Sequence, residues 1–180
     1  MTMNKKKSLV ALAAVALGTV AYNYLKPVRS KVDVVKNFDI ARYLGHWHEI
    51  ARIDFKWEKN LKNVSAFYSL NDNGTVKVRN EGFDIDSGKH KESVGKAKFV
   101  GDETEGALKV SFFGPFYSNY NVVQLDPNYQ DVLIFGDNLD YLWILSREKT
   151  ISEERKASYL AYAEACGYQT SKLTWTIQES

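Results

Sequence analysis

Two histidines separated by one residue, His46 and His48, are the first side chains whose types and spacing could do chemistry. On a β-strand, residues two apart share a face, so both imidazoles could bind one metal ion. The alternative is an ordinary strand face that is solvated or covered by a helix. No larger cluster of metal-ligating residues stands out in the sequence, and we predict no metal site.

The single cysteine, Cys166, is the only thiol that could act as a nucleophile, and it excludes an intramolecular disulfide. It falls on the apolar face of a predicted helix, with no His or Lys close to it in sequence to activate it. The sequence also shows no Ser-His-Asp ordering and no phosphate-binding loop. We therefore predict no catalytic residue and no cofactor, and interpret Cys166 as a small packed side chain.

The net charge of +2 hides an asymmetry between the N-terminus and the rest of the chain. Six of the 24 basic residues precede the first acidic residue, Asp33. Removing those 6 leaves 18 basic residues against 22 acidic ones, so residues 32–180 carry a net charge of −4. A basic face for nucleic acid is not expected, and no nucleic-acid partner is predicted.

The elements that would position any site are short β-rich runs separated by clusters of turn residues. The strongest hairpin signal is Asn71-Asp72-Asn73-Gly74, where Asn and Gly supply a positive φ. Eight strands are predicted, near residues 46–53, 61–70, 75–83, 91–100, 106–113, 120–126, 130–136 and 140–147. Consecutive strands joined by short turns form a meander, and eight can close around a small ligand. The predicted fold is therefore all-β with one helix, an eight-stranded antiparallel up-and-down barrel.

One long helix is predicted after the last barrel strand, packed with its apolar face on the outer wall. Thr150 and Glu153 form a capping box at its start, with Ser152 as the alternative N-cap. Gly167 fits the position just after the helix end. Residues 172–177 then form a short final strand at the edge.

The N-terminus has the pattern of a membrane or export segment. Three lysines, Lys5 to Lys7, precede an uncharged apolar run from Ser8 to Leu25. As a helix this run would be about 27 Å long, slightly short of a ~30 Å hydrocarbon core. A cleaved signal peptide ending near Ala21 is the alternative. Basic residues directly after the run, beginning with Lys26, favour an uncleaved anchor.

With 180 residues and 44% hydrophobic side chains, the chain is expected to form one globular domain plus a short extension. We divide it into an anchor or signal segment (1–25), a linker (26–36) and a barrel domain (37–180).

Four sequence blocks carry a resemblance to a known family. They are NFDIARYLGHWHEIAR (37–52), LKVSFFGPFY (108–117), YNVVQLD (120–126) and DYLWILSR (140–147). In this order they resemble the lipocalins, and most closely the bacterial lipocalins, from about Asn37 to about Trp175. The G-x-W triplet opening the first strand and the Arg closing the last one are the family signature, here Gly45, Trp47 and Arg147.

The resemblance implies that Trp47 points inward at the closed end of the barrel and that Arg147 lies over it and reaches backbone carbonyls. Strand alternation then places Glu49 inward and turns His46 and His48 outward. His48 occupies a position where the family usually has Tyr. The predicted ligand-binding wall comprises Ala51, Ala66, Tyr68, Val78, Asn80, Ala97, Val110, Phe112, Tyr120, Val122, Phe135, Tyr141 and Trp143.

An inner wall that mixes small and aromatic side chains favours room for an elongated apolar guest. The alternative is that large side chains opposite the small ones fill the space. The resemblance implies a carrier of fatty acids, lysophospholipids or similar lipids; the alternative is an enzyme or a tetrapyrrole or pigment carrier on the same scaffold. We expect a monomer or weak dimer.

The expected location is the bacterial envelope, with the N-terminal segment in the membrane and the barrel on the periplasmic side. Bacterial lipocalins are typically lipoproteins acylated on a cysteine that ends the signal. No cysteine occurs near residues 1–36, so that attachment is not available here, and outer and inner membrane are not distinguished.

Overall fold

Residues 33–53 and 60–179 are described by the computed structural model, and they contain the eight predicted barrel strands. The strands are β1 (Gly45–Ile53), β2 (Leu61–Leu70), β3 (Val76–Asp84), β4 (His90–Phe99), β5 (Ala107–Phe113), β6 (Phe116–Leu125), β7 (Asp131–Phe135) and β8 (Leu142–Ser146). Each strand pairs antiparallel with the next, and β8 pairs back with β1. The predicted closed, eight-stranded up-and-down barrel is therefore confirmed.

The two ends of the barrel are built differently. A four-residue helix, α1 (Ile40–Tyr43), packs with Phe38 over the end where β1 starts and β8 finishes. We call this the closed end. The opposite end carries the β3–β4, β5–β6 and β7–β8 turns, which we call the open end. The Asn71–Gly74 hairpin, closed by a 2.8 Å bond from Asn71 N to Thr75 O, lies at the closed end.

A short ninth strand, β9 (Leu173–Trp175), lies beside β1 where β2 diverges from it. β1 pairs with β2 only over Gly45–His48, and β9 takes over as its partner at Ala51–Ile53. The side-chain amide of Gln178 then donates to the carbonyls of Glu49 and Val64, at 2.9 and 2.8 Å. The C-terminal tail thus joins two strands that have separated.

The long helix, α2 (Glu153–Ala165), begins at Ser152. Ser152 Oγ accepts from the backbone N–H of Arg155 at 3.2 Å, so the predicted Thr150 capping box is wrong and the alternative N-cap is confirmed. At the C-terminal end, Gly167 has a φ of +92° and its N–H donates to Glu164 O, which ends the helix as predicted.

The hydrophobic side chains form two clusters, one inside the barrel and one between its outer wall and α2. Tyr159 and Ala163 of α2 are buried in the outer cluster, as the apolar face of the helix predicted. The tightest ring contact there joins Phe135 and Tyr168, whose centroids are 4.2 Å apart. The wall of the barrel is therefore apolar on both faces along this side.

The predicted anchor or signal segment lies outside the described residues, and its interpretation stays a prediction. Val35, in the predicted linker, is attached to the barrel: its N–H donates to Val122 O and its carbonyl accepts from Gly106 N, both at 2.9 Å. Within residues 33–53 and 60–179, no helix is long and apolar enough to cross a membrane.

Candidate ligand-binding site inside the barrel

The closed end of the barrel is held by a Trp–Arg pair. Trp47 is fully buried in the inner cluster, and its indole N–H donates to the carbonyl of Tyr43 at 2.8 Å. The guanidinium carbon of Arg147 lies 3.9 Å from the centroid of the Trp47 ring, within cation–π range. The geometry of these two residues matches what the family resemblance implied.

Arg147 also joins two segments that are distant in sequence. Its guanidinium donates to the carbonyls of Arg42, Leu44 and His46 at 2.7 to 2.9 Å, and of Tyr43 at 3.1 Å. Gly45 lies inside this set, with a φ of +96° and only 3.4 Å between the position of an added Cβ and an Arg147 nitrogen. A side chain at position 45 would therefore be strained and would crowd the guanidinium.

Three tyrosines form the floor of the interior above Trp47. The hydroxyl of Tyr120 lies 2.6 Å from that of Tyr43 and 2.9 Å from that of Tyr68. Tyr43 comes from α1, and its ring is 4.9 Å from that of Trp47. Tyr68 and Tyr120 were predicted as inward residues, whereas Tyr43 was not, because it precedes the first strand.

Two hydroxyls of the tyrosine floor, those of Tyr43 and Tyr120, are uncharged at neutral pH. Burial raises the pKa of Tyr43 and of Tyr120 well above the ordinary value, because a phenolate would lose its hydration there. Hydrogen bonding from Tyr120 opposes the rise at Tyr43 without cancelling it. Tyr43 and Tyr120 therefore contribute neutral hydroxyls to the floor.

The wall above this floor is apolar, and its residues are of two kinds, buried and partly buried. Predicted wall residues that are buried in the inner cluster are Ala66, Tyr68, Val78, Ala97 and Val122. Those packed against it but only partly buried are Val110, Phe112, Tyr120 and Trp143. Buried and partly buried wall residues lie side by side, because Ala97 pairs with Val110 and Leu108 pairs with Tyr120.

Asn80 is the one predicted wall residue with a carboxamide. It pairs with Ala66 of β2 and Ser93 of β4, on the inward face of β3. Its Oδ1 is inaccessible to solvent and has no hydrogen-bond partner among the described residues. A buried amide without a partner costs free energy, so this position suits a polar group of a guest.

Two predicted wall residues point the other way. Ala51 lies in the outer cluster because β1 has a bulge between Glu49, which pairs with Leu145, and Ala51, which pairs with Ile144. One extra residue reverses the alternation beyond it. Phe135 also lies in the outer cluster, against α2 and Tyr168. The predictions that Ala51 and Phe135 face the interior are wrong.

The structure also locates the predicted wall residue Tyr141 and shows what lies beside Gly95. Tyr141 precedes β8 and stacks on Trp143 with centroids 6.2 Å apart, so it lies at the open end. At Gly95, an added Cβ would come within 2.8 Å of Phe112 Cδ1. The phenyl ring of Phe112 therefore occupies the space beside Gly95. At this level of the wall a large side chain fills the gap left by a small residue, which is the alternative to an open cavity.

A buried ion pair, which sequence reasoning only half anticipated, lies beyond the β1 bulge. Glu49 and Arg52 are both almost fully buried, with 2.5 Å between Glu49 Oε1 and an Arg52 nitrogen. Thr176 Oγ1 donates to Glu49 at 2.6 Å and accepts from Arg52 at 3.1 Å. The apolar pair between two charged residues, Glu-Ile-Ala-Arg, is the sequence signal that could have revealed the bulge.

The histidine pair lies on the outer face, as predicted. The rings of His46 and His48 are 4.5 Å apart, and burial lowers the pKa of both, so they are neutral at neutral pH. In the part of the chain that the structure describes, no group of three or more His, Cys, Asp or Glu side chains could bind a metal ion. Cys166 is the half-buried C-cap of α2.

The chain is similar to a known protein family, to two bacterial proteins and to a solved structure. A family model described as a lipocalin-like domain matches residues 38–178. Outer membrane lipoprotein Blc of Escherichia coli (strain K12) is 51% identical over 170 residues, covering 94% of this chain and 96% of that protein. The protein of the same name from Citrobacter freundii is 48% identical with the same coverage. The solved structure of the cockroach allergen Per a 4 aligns with a TM-score of 0.66 at 17% identity, over 83% of this chain and 94% of that one, which shows the shared fold.

Proposed function

Because the chain belongs to the lipocalin family, whose barrel binds small hydrophobic ligands, we propose that it binds and stores or carries single-chain lipids. Fatty acids and lysophospholipids are the proposed classes. An eight-stranded barrel has an interior wide enough for side chains and one slender guest. Recognition would then depend mainly on apolar contact along the wall.

The observation that supports this proposal most directly is the set of inward apolar side chains that other side chains cover only in part. Val110, Phe112 and Trp143 face inward but are only partly buried, whereas the tyrosine floor below them is closed by α1. An acyl chain entering from the open end would contact these side chains first. Asn80, with its partnerless Oδ1, provides a polar contact partway down the same wall.

The charges inside the barrel favour a neutral or weakly polar contact over capture of a carboxylate by a cation. The inward guanidinium of Arg52 is already paired with Glu49 at 2.5 Å, and the hydroxyls of Tyr43 and Tyr120 carry no charge. The head group of a lipid would thus remain near the open end, and its chain would lie between the wall residues.

The arrangement of reactive side chains favours binding over the alternative of catalysis or pigment carriage. All three histidines of the chain face outward: His46 and His48 on β1, and His90 against Phe83 with ring centroids 5.2 Å apart. The single cysteine, Cys166, caps α2 on the outer side. An inward thiol nucleophile, or an inward imidazole or thiolate ligand for a haem, would have to come from these residues.

We place the protein in the bacterial envelope, with the barrel on the periplasmic side of a membrane. This rests on the relatives named outer membrane lipoproteins and on the apolar run from Ser8 to Leu25. Intact-mass analysis of the membrane fraction should show residues 1–25 retained. A mass that corresponds to cleavage after Ala21 would contradict the anchor.

Ligand binding can be tested on residues 32–180, which we expect to fold without the N-terminal segment; fixed aromatic signals in near-ultraviolet circular dichroism check this first. Titration with cis-parinaric acid, competed by oleate, then measures binding. Val110→Trp places an indole on the inner wall and should lower affinity at least tenfold, an expectation based on steric exclusion. Lys77→Trp, on the outward face of β3, is the matched control and should bind normally.

Two outcomes would contradict this assignment. Equal binding by both variants would mean that the guest does not occupy the barrel at the level of Val110. An absence of any displaceable probe binding by the folded domain would mean that the barrel does not take single-chain lipids.

A further inference from the structure

Large apolar side chains are exposed at the tips of the turns that surround the open end. Phe113 is 81% exposed and Phe116 is 50% exposed, on either side of the β5–β6 turn. Leu139 in the β7–β8 turn is 50% exposed and Ile85 in the β3–β4 turn is 44% exposed. We call these four residues the apolar rim.

The apolar rim differs from the scattered apolar side chains of an ordinary surface. Single exposed leucines or valines are normal in soluble proteins, but a group at one end of a molecule marks an interaction site. Phe113 and Phe116 are register partners across the turn, so their two rings project together from one hairpin. Phe113 and Phe116 do not pack in the barrel interior, which is lined by other side chains.

The charges beside the apolar rim indicate what kind of surface it fits. The β5–β6 turn contains no charged residue, and in and beside the β3–β4 turn Asp84 and Asp86 are balanced by Lys89 and Lys91. The β7–β8 turn adds two acidic residues, Asp137 and Asp140. An anionic membrane would therefore repel this end weakly, whereas the interface of a zwitterionic bilayer would not.

The path of the chain before the barrel also leads toward the open end. Phe38 N bonds to Thr104 O at the closed end, and Val35 bonds to Val122 and Gly106 further along the wall. Followed backward from Phe38, the chain thus passes from the β4–β5 turn to the level of Val122, in the direction of the open end. From Val122 to the β5–β6 turn is six residues of strand, about 20 Å.

Seven residues, 26–32, separate the end of the apolar run at Leu25 from Asp33. Extended, they span up to about 25 Å. This length lets the open end reach the same membrane that would hold the apolar run.

We propose that the apolar rim of Ile85, Phe113, Phe116 and Leu139 inserts into the interfacial layer of a zwitterionic bilayer and seats the open end on lipid. A lipid could then pass between the bilayer and the barrel without crossing water. The orientation goes beyond ligand binding, and its test contains no added ligand, so either proposal can fail alone.

The orientation can be measured on the full chain reconstituted into phosphatidylcholine vesicles that contain nitroxide-labelled lipid. In a Cys166→Ser background, Lys89→Cys carries an environment-sensitive fluorophore at the open end, and Asp72→Cys carries it at the closed end. Both native side chains are exposed. We expect the lipid nitroxide to quench the Lys89→Cys label and aqueous iodide to quench the Asp72→Cys label.

The contribution of the apolar rim is then tested by Phe113→Ser combined with Phe116→Ser. Loss of both phenyl rings should lower the ratio of docked to undocked barrels by about tenfold or more. The matched control is Leu70→Ser with Val100→Ser, which removes two apolar side chains of 52% and 43% exposure from the closed end. The control should leave the quenching unchanged, and near-ultraviolet circular dichroism confirms that each variant is folded.

Several results would overturn the proposal. They are failure of the full chain to associate with the vesicles, equal nitroxide quenching of the two labels, or quenching that survives loss of both phenylalanines. Self-quenching of the Lys89→Cys label that rises with protein density, without nitroxide quenching, would show a second copy on the apolar rim and would also overturn it.

Discussion

Replacing Trp47 by alanine tests the assignment of the closed end most directly. Trp47 is fully buried, contacts the Arg147 guanidinium at 3.9 Å and donates to Tyr43 O at 2.8 Å. The change removes the indole from the inner cluster without altering the strand. Because the surrounding barrel is hydrogen-bonded on all sides, it can collapse only slightly around the cavity.

The expected cost follows from the buried area. A tryptophan buries about 150–250 Å², which at about 25 cal/mol per Å² is roughly 4–6 kcal/mol. Residual burial in the denatured chain reduces this by about 10–40%. The lost indole hydrogen bond adds back about 1 kcal/mol. We therefore expect Trp47→Ala to lower the free energy of unfolding by about 3–6 kcal/mol, a large share of the ~5–15 kcal/mol typical of a domain.

Urea unfolding of residues 32–180, followed by near-ultraviolet circular dichroism, measures this change. At about 2–4 °C per kcal/mol for a domain of this size, the melting temperature should fall by on the order of 10–20 °C. The matched control is Trp175→Ala, since Trp175 is 41% exposed on the outer face of β9 and should cost less, about 1–3 kcal/mol by the same area estimate. A loss below about 1 kcal/mol for Trp47→Ala would refute the structural assignment of this residue.

Three further predictions concern the closed end, the wall and the outer face. Arg147→Met should cost less than Trp47→Ala in urea unfolding, because water can reach part of the carbonyls that the guanidinium releases. Gly95→Val should lower the melting temperature, since its side chain would overlap Phe112 and the neighbouring carbonyl; a normal melting temperature would show that the ring lies elsewhere. Burial lowers the pKa of His46 and His48 below the ordinary 6.5, so the unfolded chain binds more protons below that pH. The stability that the two neutral imidazoles contribute is present above pH 6.5 and is lost as the pH falls through their pKa in the folded protein. Replacing both histidines by Gln should therefore make the free energy of unfolding fall less steeply over that pH range.

Much of the fold could be predicted from local sequence signals. Turn residues such as those in Asn71–Gly74 separate alternating runs, and each run became a strand within a few residues of its predicted bounds. Ser152 caps the start of α2 through a short-range hydrogen bond, and Gly167 ends the helix with a positive φ. These features depend on neighbours a few residues away, which is why the sequence alone indicates them.

The direction of side chains past a bulge could not be predicted in the same way. Alternation places Ala51 inward, but a bulge after Glu49 turns Ala51 outward and brings Arg52 inward to the ion pair. On β7, Val132 to Phe135 are all apolar because one face lines the interior and the other packs on α2. Periodicity is absent when both faces of a strand are buried, so alternation alone could not show that Phe135 points outward, and only the register of β7 decides it.

By itself the sequence determined the number and order of the strands, the helix that follows them, and the Gly45–Trp47–Arg147 pattern. Only the tertiary structure decided which side chains share the interior. Tyr43 reaches the hydroxyl of Tyr120, 77 residues away, and Thr176 reaches Glu49, 127 residues away. Such contacts depend on the closure of the barrel and on the bulges that set its register. No spacing within one strand encodes them, because they exist only after distant segments have been brought together.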